Sequence, residues 1–337
     1  MSRDLGDFQT PAELCAIVVD LLGPGDYRRV LEPTCGAGSF LASSLGRWPD
    51  SEAIGVELQE SYLASARSTG ADIIHASLFD MNLADDLPWT TDGRLLVIGN
   101  PPWVTNSKLG SLGSINLPRK SNVKNLKGLD AITGSANFDI TEFMVIKLIV
   151  ELMPQEPTVA MLCKTQVARN VFEYCCDNQL PVHDFEIFPL NAKKWFGAAV
   201  DACLFTFAVG QPLNATCETY TDLSRSSSVQ LGFVNGQLVT DLRTYESVSH
   251  LDGQCQFTWR QGLKHDASSV MELELATDGT VATKAGVSVD IEAEYVFPLL
   301  KCTALHRDRL QPAKAVVVPQ RQFGEETSQL RVTAPRL

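Results

Sequence analysis

Apolar and polar positions divide the chain into two unlike halves. Over the first 210 residues, short apolar runs alternate with stretches of helical period. Residues 11–22 predict a helix, with Thr10 as its N-cap, Pro11 at the first helical position and Gly23-Pro24-Gly25 ending it. Strand-like runs follow at 28–32, 53–57, 72–76 and 95–98, separated by a helix starting near Phe40 and another over 59–68. Beyond a polar loop at 104–136, Ile140 to Leu152 has apolar residues at 140, 143, 144, 146, 148, 149, 150 and 152, the pattern of a helix buried on a wide face. Runs at 158–163, 183–188 and 201–209 supply three more strands, with a helix over 165–178 between the first two. Strands and helices alternating at this spacing predict an α/β fold with a doubly wound, mainly parallel sheet. The turn from Lys194 to Ala199 is too short for a crossover helix, so the seventh strand is expected to run antiparallel to the sixth.

Gly210-Gln211-Pro212 reads as a boundary between a domain of residues 1–210 and a smaller β-rich region of residues 211–337. Past it the pattern changes to short β-like runs with turn signals at Asn235-Gly236, Asp252-Gly253 and Asp278-Gly279. The last residues, Thr333 to Leu337, hold no clear closing element, as expected of a fragment or of an internally shortened product.

Composition narrows the class. With 45% hydrophobic and 20% charged residues the chain reads as globular. No apolar run is long enough to span a membrane and no signal-peptide pattern opens the sequence, so a cytoplasmic protein without a membrane partner is expected. The nine cysteines form no CxxC pair and the five histidines show no ligand spacing, so neither metal nor disulfide framework is expected. A net charge of −12 argues against general nucleic-acid affinity, but the charge is unevenly spread. Residues 1–103 hold 6 basic and 15 acidic side chains. Residues 104–129 hold Lys108, Arg119, Lys120, Lys124 and Lys127 and no acid, which suits either a solvated loop or one that contacts nucleic-acid phosphates.

Two stretches carry chemistry. The turn Glu32-Pro33-Thr34-Cys35-Gly36-Ala37-Gly38-Ser39 joins a strand to a helix through small residues, so the backbone can approach a ligand closely. The third glycine of the dinucleotide fingerprint is missing. Glu57 ends the second strand, 19 residues after Gly38, where an acid can bind both hydroxyls of a ribose. These features indicate an adenosine-containing cofactor without choosing between NAD and S-adenosylmethionine (SAM).

The second stretch is Asn100-Pro101-Pro102-Trp103, at the carboxyl end of the run 95–98. Proline stops the strand, leaving an amide at its end and an aromatic ring just beyond. An exocyclic amine on adenine is a poor nucleophile, because its lone pair is delocalised into the ring. Hydrogen bonds from that amine to the Asn100 oxygen and to a carbonyl of the proline pair favour a tetrahedral nitrogen, whose lone pair can then attack a methyl sulfonium. Such chemistry needs orientation more than a strong base, and it selects SAM. Trp103 suits stacking on the base.

Phe8-Gln9-Thr10-Pro11, Leu31-Glu32-Pro33-Thr34-Cys35-Gly36-Ala37-Gly38-Ser39-Phe40 and Asn100-Pro101-Pro102-Trp103 occur in the order found in gamma-class DNA adenine-N6 methyltransferases of the restriction–modification type, and residues 5–210 resemble that family. The resemblance implies a Rossmann-like, seven-stranded methyltransferase sheet with an antiparallel last strand. It implies that Thr10 and Pro11 lie across the methionine part of SAM, that Glu32 and the turn Thr34 to Gly38 flank its amino-acid end, and that Glu57 binds its ribose. It also implies that the target adenine is turned out of double-stranded DNA and held between aromatic side chains, Trp103 and Phe196. Family members carry an acid after the third strand. That register falls here on Ser77, so either Ser77 substitutes or Asp80 reaches in. Trp259 to Asp266 resembles a segment that follows the catalytic domain in larger restriction–modification methyltransferases, and residues 301–337 carry 7 basic and 3 acidic side chains. A restriction endonuclease or separate recognition module is the partner such a system implies. Rival readings are a protein-glutamine or RNA amino-methyltransferase, and a non-catalytic DNA-binding subunit that keeps the fold.

Overall fold

Seven apolar runs form the centre of one sheet: β1 (Tyr27–Glu32), β2 (Glu52–Glu57), β3 (Asp72–His75), β4 (Arg94–Gly99), β5 (Thr158–Lys164), β6 (Val182–Leu190) and β7 (Ala202–Val209). The computed structural model describes residues 8–103, 139–258, 267–305, 311–320, 322 and 324–337. Their order in the sheet is β3-β2-β1-β4-β5-β7-β6, that of the Rossmann-like methyltransferase fold. β1 to β5 run parallel to one another. β7 inserts antiparallel between β5 and β6, as the short turn before it requires.

The runs of β4, β5 and β7 are nearly continuous because both faces of the sheet are covered there. Successive residues point to opposite faces, so Leu95 and Val97 join one core while Leu96 and Ile98 join the other. The first core packs α4 (Ile140–Leu152) and α5 (Thr165–Asp177) against the sheet. Its centre is aromatic, with Phe172 edge-on to Phe185 at 4.9 Å and Phe205 against Phe207 at 5.0 Å. The second core packs α1 (Ala12–Leu21), α2 (Ser39–Arg47) and α3 (Glu60–Arg67) through residues such as Val18, Phe40 and Ala66. Burying each large apolar side chain contributes about 1.5–3 kcal/mol.

The sheet does not stop at seven strands. β8 (Thr216–Tyr220) pairs parallel with β6, and β9 (Ser228–Val234) and β10 (Gln237–Val239) extend it to ten. Asn235 and Gly236, at φ of 52° and 76°, make the two-residue turn of the β9–β10 hairpin. β8 thereby covers the edge of β6 that would otherwise present unpaired backbone groups. The first compact unit accordingly runs to Asp252, past the turn at Gly210.

The second unit, from Gly253, contains an antiparallel five-stranded sheet in the order β13-β12-β11-β15-β14. Its strands are β11 (Glu272–Leu275), β12 (Val281–Ala282), β13 (Ser288–Val289), β14 (Val296–Leu299) and β15 (Lys314–Val317). Asp278-Gly279 turns β11 into β12. Among the described residues no helix is long and apolar enough to cross a membrane.

Candidate active site

A cleft with a cavity of about 170 Å³ opens at the carboxyl ends of β1, β2, β3 and β4. The strand order reverses between β1 and β4, and the crevice at such a switch point is where open α/β sheets bind ligands. The segment Phe8 to Thr10 and Met144 of α4 complete the wall. Among the described residues, Glu32 and Glu57 are the only charged side chains lining it.

Both carboxylates are buried, Glu32 at the end of β1 and Glu57 at the end of β2. Glu57 Oε2 accepts from the Gly36 N–H at 2.7 Å and its Oε1 from the Gln59 N–H at 2.5 Å. Glu32 Oε2 accepts from the Leu41 N–H, in the first turn of α2, at 3.2 Å. The Gln9 amide oxygen takes the Ala37 N–H at 3.0 Å. Three donors that a phosphate-binding turn offers to an anion, the Gly36, Ala37 and Leu41 N–H groups, are therefore taken up by the protein's own acceptors. Burial pushes the Glu32 carboxyl well above the usual carboxylate range, the Leu41 N–H pulls against that rise and the Glu57 charge adds to it. The Cys35 thiol beside them is also pushed up, by burial and then by Glu32 and Glu57, so it remains a thiol rather than a nucleophilic thiolate.

The turn itself is shaped by two glycines. Gly36 sits at φ 50°, and a Cβ there would stand 2.6 Å from Gln9 Oε1, displacing the Gln9 side chain from the turn. Gly38, at φ 87°, begins α2, and a Cβ there would meet Ala66 of α3 at 3.1 Å from its Cα. The first glycine makes room for the cleft wall; the second lets two helices approach.

Asn100 follows β4, and its amide is held in one orientation. Its Nδ2 donates to the Phe8 carbonyl at 2.9 Å and to Thr10 Oγ1 at 3.2 Å. Among the described residues its Oδ1 is buried without a hydrogen-bond partner, as is Oγ1 of Thr34, which also lines the cleft. Buried polar atoms are nearly always paired, so an orphan in a cleft marks where a ligand group belongs. Thr10 does not cap α1: the helix begins after Pro11 with no side-chain cap, and the Thr10 hydroxyl faces Asn100 instead. The Pro102 carbonyl accepts from the Thr141 hydroxyl at 2.9 Å. Thr141 lies in the first turn of α4, where Asp139 caps the helix and also pairs with Lys164 at 2.7 Å. This brace for the proline exit carries no signal in the sequence.

Trp103 and Phe196 come together, but not as a slot. Phe196 ends α6 (Ala192–Phe196), and its ring meets Trp103 edge to face, with centroids 5.1 Å apart and planes at 77°. A flat base between parallel rings needs about 7 Å, twice the contact spacing of carbon atoms. The Phe8 ring touches both, at 5.7 and 5.8 Å, and unlike them it lines the cleft. Trp103 Nε1 donates to the Leu162 carbonyl at 3.2 Å, which anchors the indole.

Of the other expected site residues, Pro33, Thr34, Cys35, Gly36, Ser77 and Pro102 line the cleft. Pro11, Gly38, Pro101 and Asp80 do not. Asp80 is exposed, three residues beyond Ser77, whose carbonyl accepts its N–H. Lys108, Arg119, Lys120, Lys124, Lys127 and the stretch Trp259 to Asp266 lie outside the described residues.

The Type II methyltransferase M.NspV of a Nostoc species is 35% identical over 348 aligned positions, spanning 99% of this chain and 72% of that protein. The chain belongs to the Type II methyltransferase family. A second Type II methyltransferase, M.CvrRI of a Paramecium bursaria Chlorella virus, matches at 36% identity over 105 residues, 30% of this chain and 25% of that protein. Among solved structures, the M protein of the Type I restriction enzyme EcoKI aligns with 63% of this chain and 47% of its own, at 16% identity and a TM-score of 0.46. No protein-family model matches the chain.

Type II methyltransferases of restriction–modification systems are a SAM-utilising class, and the cleft fits that cofactor. Two carboxylates, with no lysine or arginine lining the cleft among the described residues, suit a ligand bearing a sulfonium and an ammonium group. The pyrophosphate of NAD would instead face both acids with the turn's N–H groups at Gly36, Ala37 and Leu41 already engaged.

Proposed function

We propose that this Type II methyltransferase transfers the methyl group of SAM to the N6 amine of adenine in double-stranded DNA, with the target base turned out of the duplex. The observation that carries the reading is the Asn100 amide: both protons of Nδ2 have acceptors, while Oδ1 is buried and unpaired. Such an amide accepts a hydrogen bond and has none left to donate. It suits an exocyclic amine and leaves an oxo group, as on guanine or thymine, facing another acceptor.

SAM supplies an electrophilic methyl on a positively charged sulfur. Glu57 would hold the ribose hydroxyls with the lone pairs that the Gly36 and Gln59 N–H groups leave free. Glu32, Thr34 and the turn at Gly36 would flank the amino-acid end, and Ser77 rather than the exposed Asp80 would meet the adenine ring. Asn100 Oδ1 takes one proton of the target amine in a hydrogen bond. A carbonyl of the proline pair is the candidate for the other; the Pro102 carbonyl, which accepts from Thr141, keeps a second lone pair. Held by two acceptors, the amine nitrogen becomes tetrahedral and aims its lone pair, and its proton leaves after transfer. For Trp103 and Phe196 to flank the base, their rings must part from the edge-to-face contact.

DNA and adenine rest on the ordered motifs and on the acid-free run with Lys108, Arg119, Lys120, Lys124 and Lys127, read as a phosphate-contacting loop. The test incubates the protein with methyl-labelled SAM and, separately, duplex DNA, RNA and protein extracts. Label in duplex DNA is expected. Label confined to RNA, or to protein glutamine, overturns the reading, and absence of SAM binding by titration overturns catalysis altogether.

A further inference from the structure

We infer that Thr10 is a positioning residue, whose hydroxyl, with the Phe8 carbonyl, locks the Asn100 amide as a pure acceptor. The inference rests on the amine-accepting role of Asn100 just proposed.

The two anchors do different work. The Phe8 carbonyl can only accept, so it decides which end of the amide faces it: the Nδ2 end, at 2.9 Å. Turning the amide over would set two oxygens against each other. A hydroxyl, by contrast, accepts or donates, so Thr10 alone would tolerate either orientation. Its contribution is to take the second Nδ2 proton, at 3.2 Å, which would otherwise be free to turn toward the cleft. Thr10 is buried, its hydroxyl makes no cap to α1, and its hydrogen-bond partner in the structure is Asn100. The helix start explains Pro11; it does not explain a hydroxyl at residue 10.

The same tripeptide reaches the cofactor turn. Gln9 Oε1 bonds the Ala37 N–H at 3.0 Å, while Phe8 packs on Trp103 and Phe196. Three consecutive residues thus touch the turn, the amide and the rings, which makes the orientation of Asn100 depend on a segment 90 residues away in sequence.

Full-length protein carrying Thr10→Val or Thr10→Ser tests the lock through two readouts. The first needs no activity. In protein labelled with nitrogen-15 at asparagine, the Asn100 side-chain amide pair, assigned by its loss in Asn100→Ala, exchanges slowly with solvent in the parent and in Thr10→Ser. In Thr10→Val at least one of the two protons exchanges faster, by roughly tenfold or more. The second readout is single-turnover methyl transfer against SAM affinity. Thr10→Val lowers the transfer rate at saturating SAM by about ten- to a hundredfold, whatever its effect on SAM affinity, and Thr10→Ser restores most of it. Parental amide exchange in Thr10→Val overturns the lock. So does a loss confined to SAM affinity, which would make Thr10 a cofactor contact only, or an equal loss in Thr10→Ser. The expected exchange pattern in a protein that methylates no amine would keep the lock and refute the proposed function.

Discussion

On the β1–β2 side of the cleft, the carboxylates of Glu32 and Glu57 hang on backbone N–H groups with lone pairs to spare. On the far side, the rings of Trp103 and Phe196 rest edge to face at 5.1 Å, with Phe8 against both. The side proposed for the cofactor is already formed, because its groups are fixed by the ends of strands and by the first turn of α2. The side proposed for the base is closed by contacts between rings, each worth about 0.5–1.5 kcal/mol, which a stacking base would replace with its own. Between the two lies Asn100, already oriented, with its oxygen turned to neither a protein donor nor bulk water. On the proposed reading, SAM meets a lining that is already in place, whereas the base must open one.

The largest effect should come from the residue between the halves. Asn100→Ala is expected to lower single-turnover transfer by about a thousandfold while SAM affinity stays within a few-fold, since an acceptor aimed at the reacting nitrogen acts mainly in the transition state. Transfer at the parental rate would remove Asn100 from the chemistry. Next comes the formed side: Glu57→Gln should weaken SAM binding by about ten- to a hundredfold in calorimetry, as expected for losing charge-assisted hydrogen bonds. An unchanged dissociation constant would detach Glu57 from the cofactor.

Glu32 gives the comparison a pH signature. Its raised carboxyl is neutral below its folded-state value, and it faces Glu57 and the thiols of Cys15 and Cys35. A cationic ligand favours the carboxylate, so SAM binding should release a proton. Affinity should therefore climb as pH rises toward the Glu32 value, by up to about tenfold per pH unit, and level off above it. Glu32→Gln keeps the neutral form throughout and should flatten the profile; an equally steep profile in that variant would assign the proton elsewhere. The smallest effect belongs to the closed side. The part of the tryptophan emission that Trp103→Phe removes should change on adding DNA but not on adding SAM alone. A change with SAM alone would mean that the two halves open together.

Much of this architecture is legible in the chain. β4, β5 and β7 are near-continuous apolar runs because both their faces are buried, and the short link holding α6 forces β7 to run backwards. Ile140 to Leu152 is a helix with the ends its periodicity predicts. β8 to β10 were not legible as part of this sheet. β9 is exposed over its first three residues, so its pattern matches a small separate region as well as a sheet edge. The site divides in the same manner. Glu32, the turn at Gly36, Glu57 and Asn100 are visible because each sits at a strand end, where spacing alone fixes position. The role of Thr10 is not visible, because a threonine before a proline at a helix start looks like a cap. The closure of Trp103 on Phe196 depends on residues 93 positions apart, and the Thr141 brace on a helix that local pattern cannot dock.

In the proposed reaction an acceptor amide beside a cation-binding cleft directs methyl transfer to an exocyclic amine. Mass spectrometry of nucleosides from DNA treated with the protein and methyl-labelled SAM tests it most directly. Label in N6-methyladenine is the predicted result. Label in 5-methylcytosine, which requires attack through carbon, would contradict it.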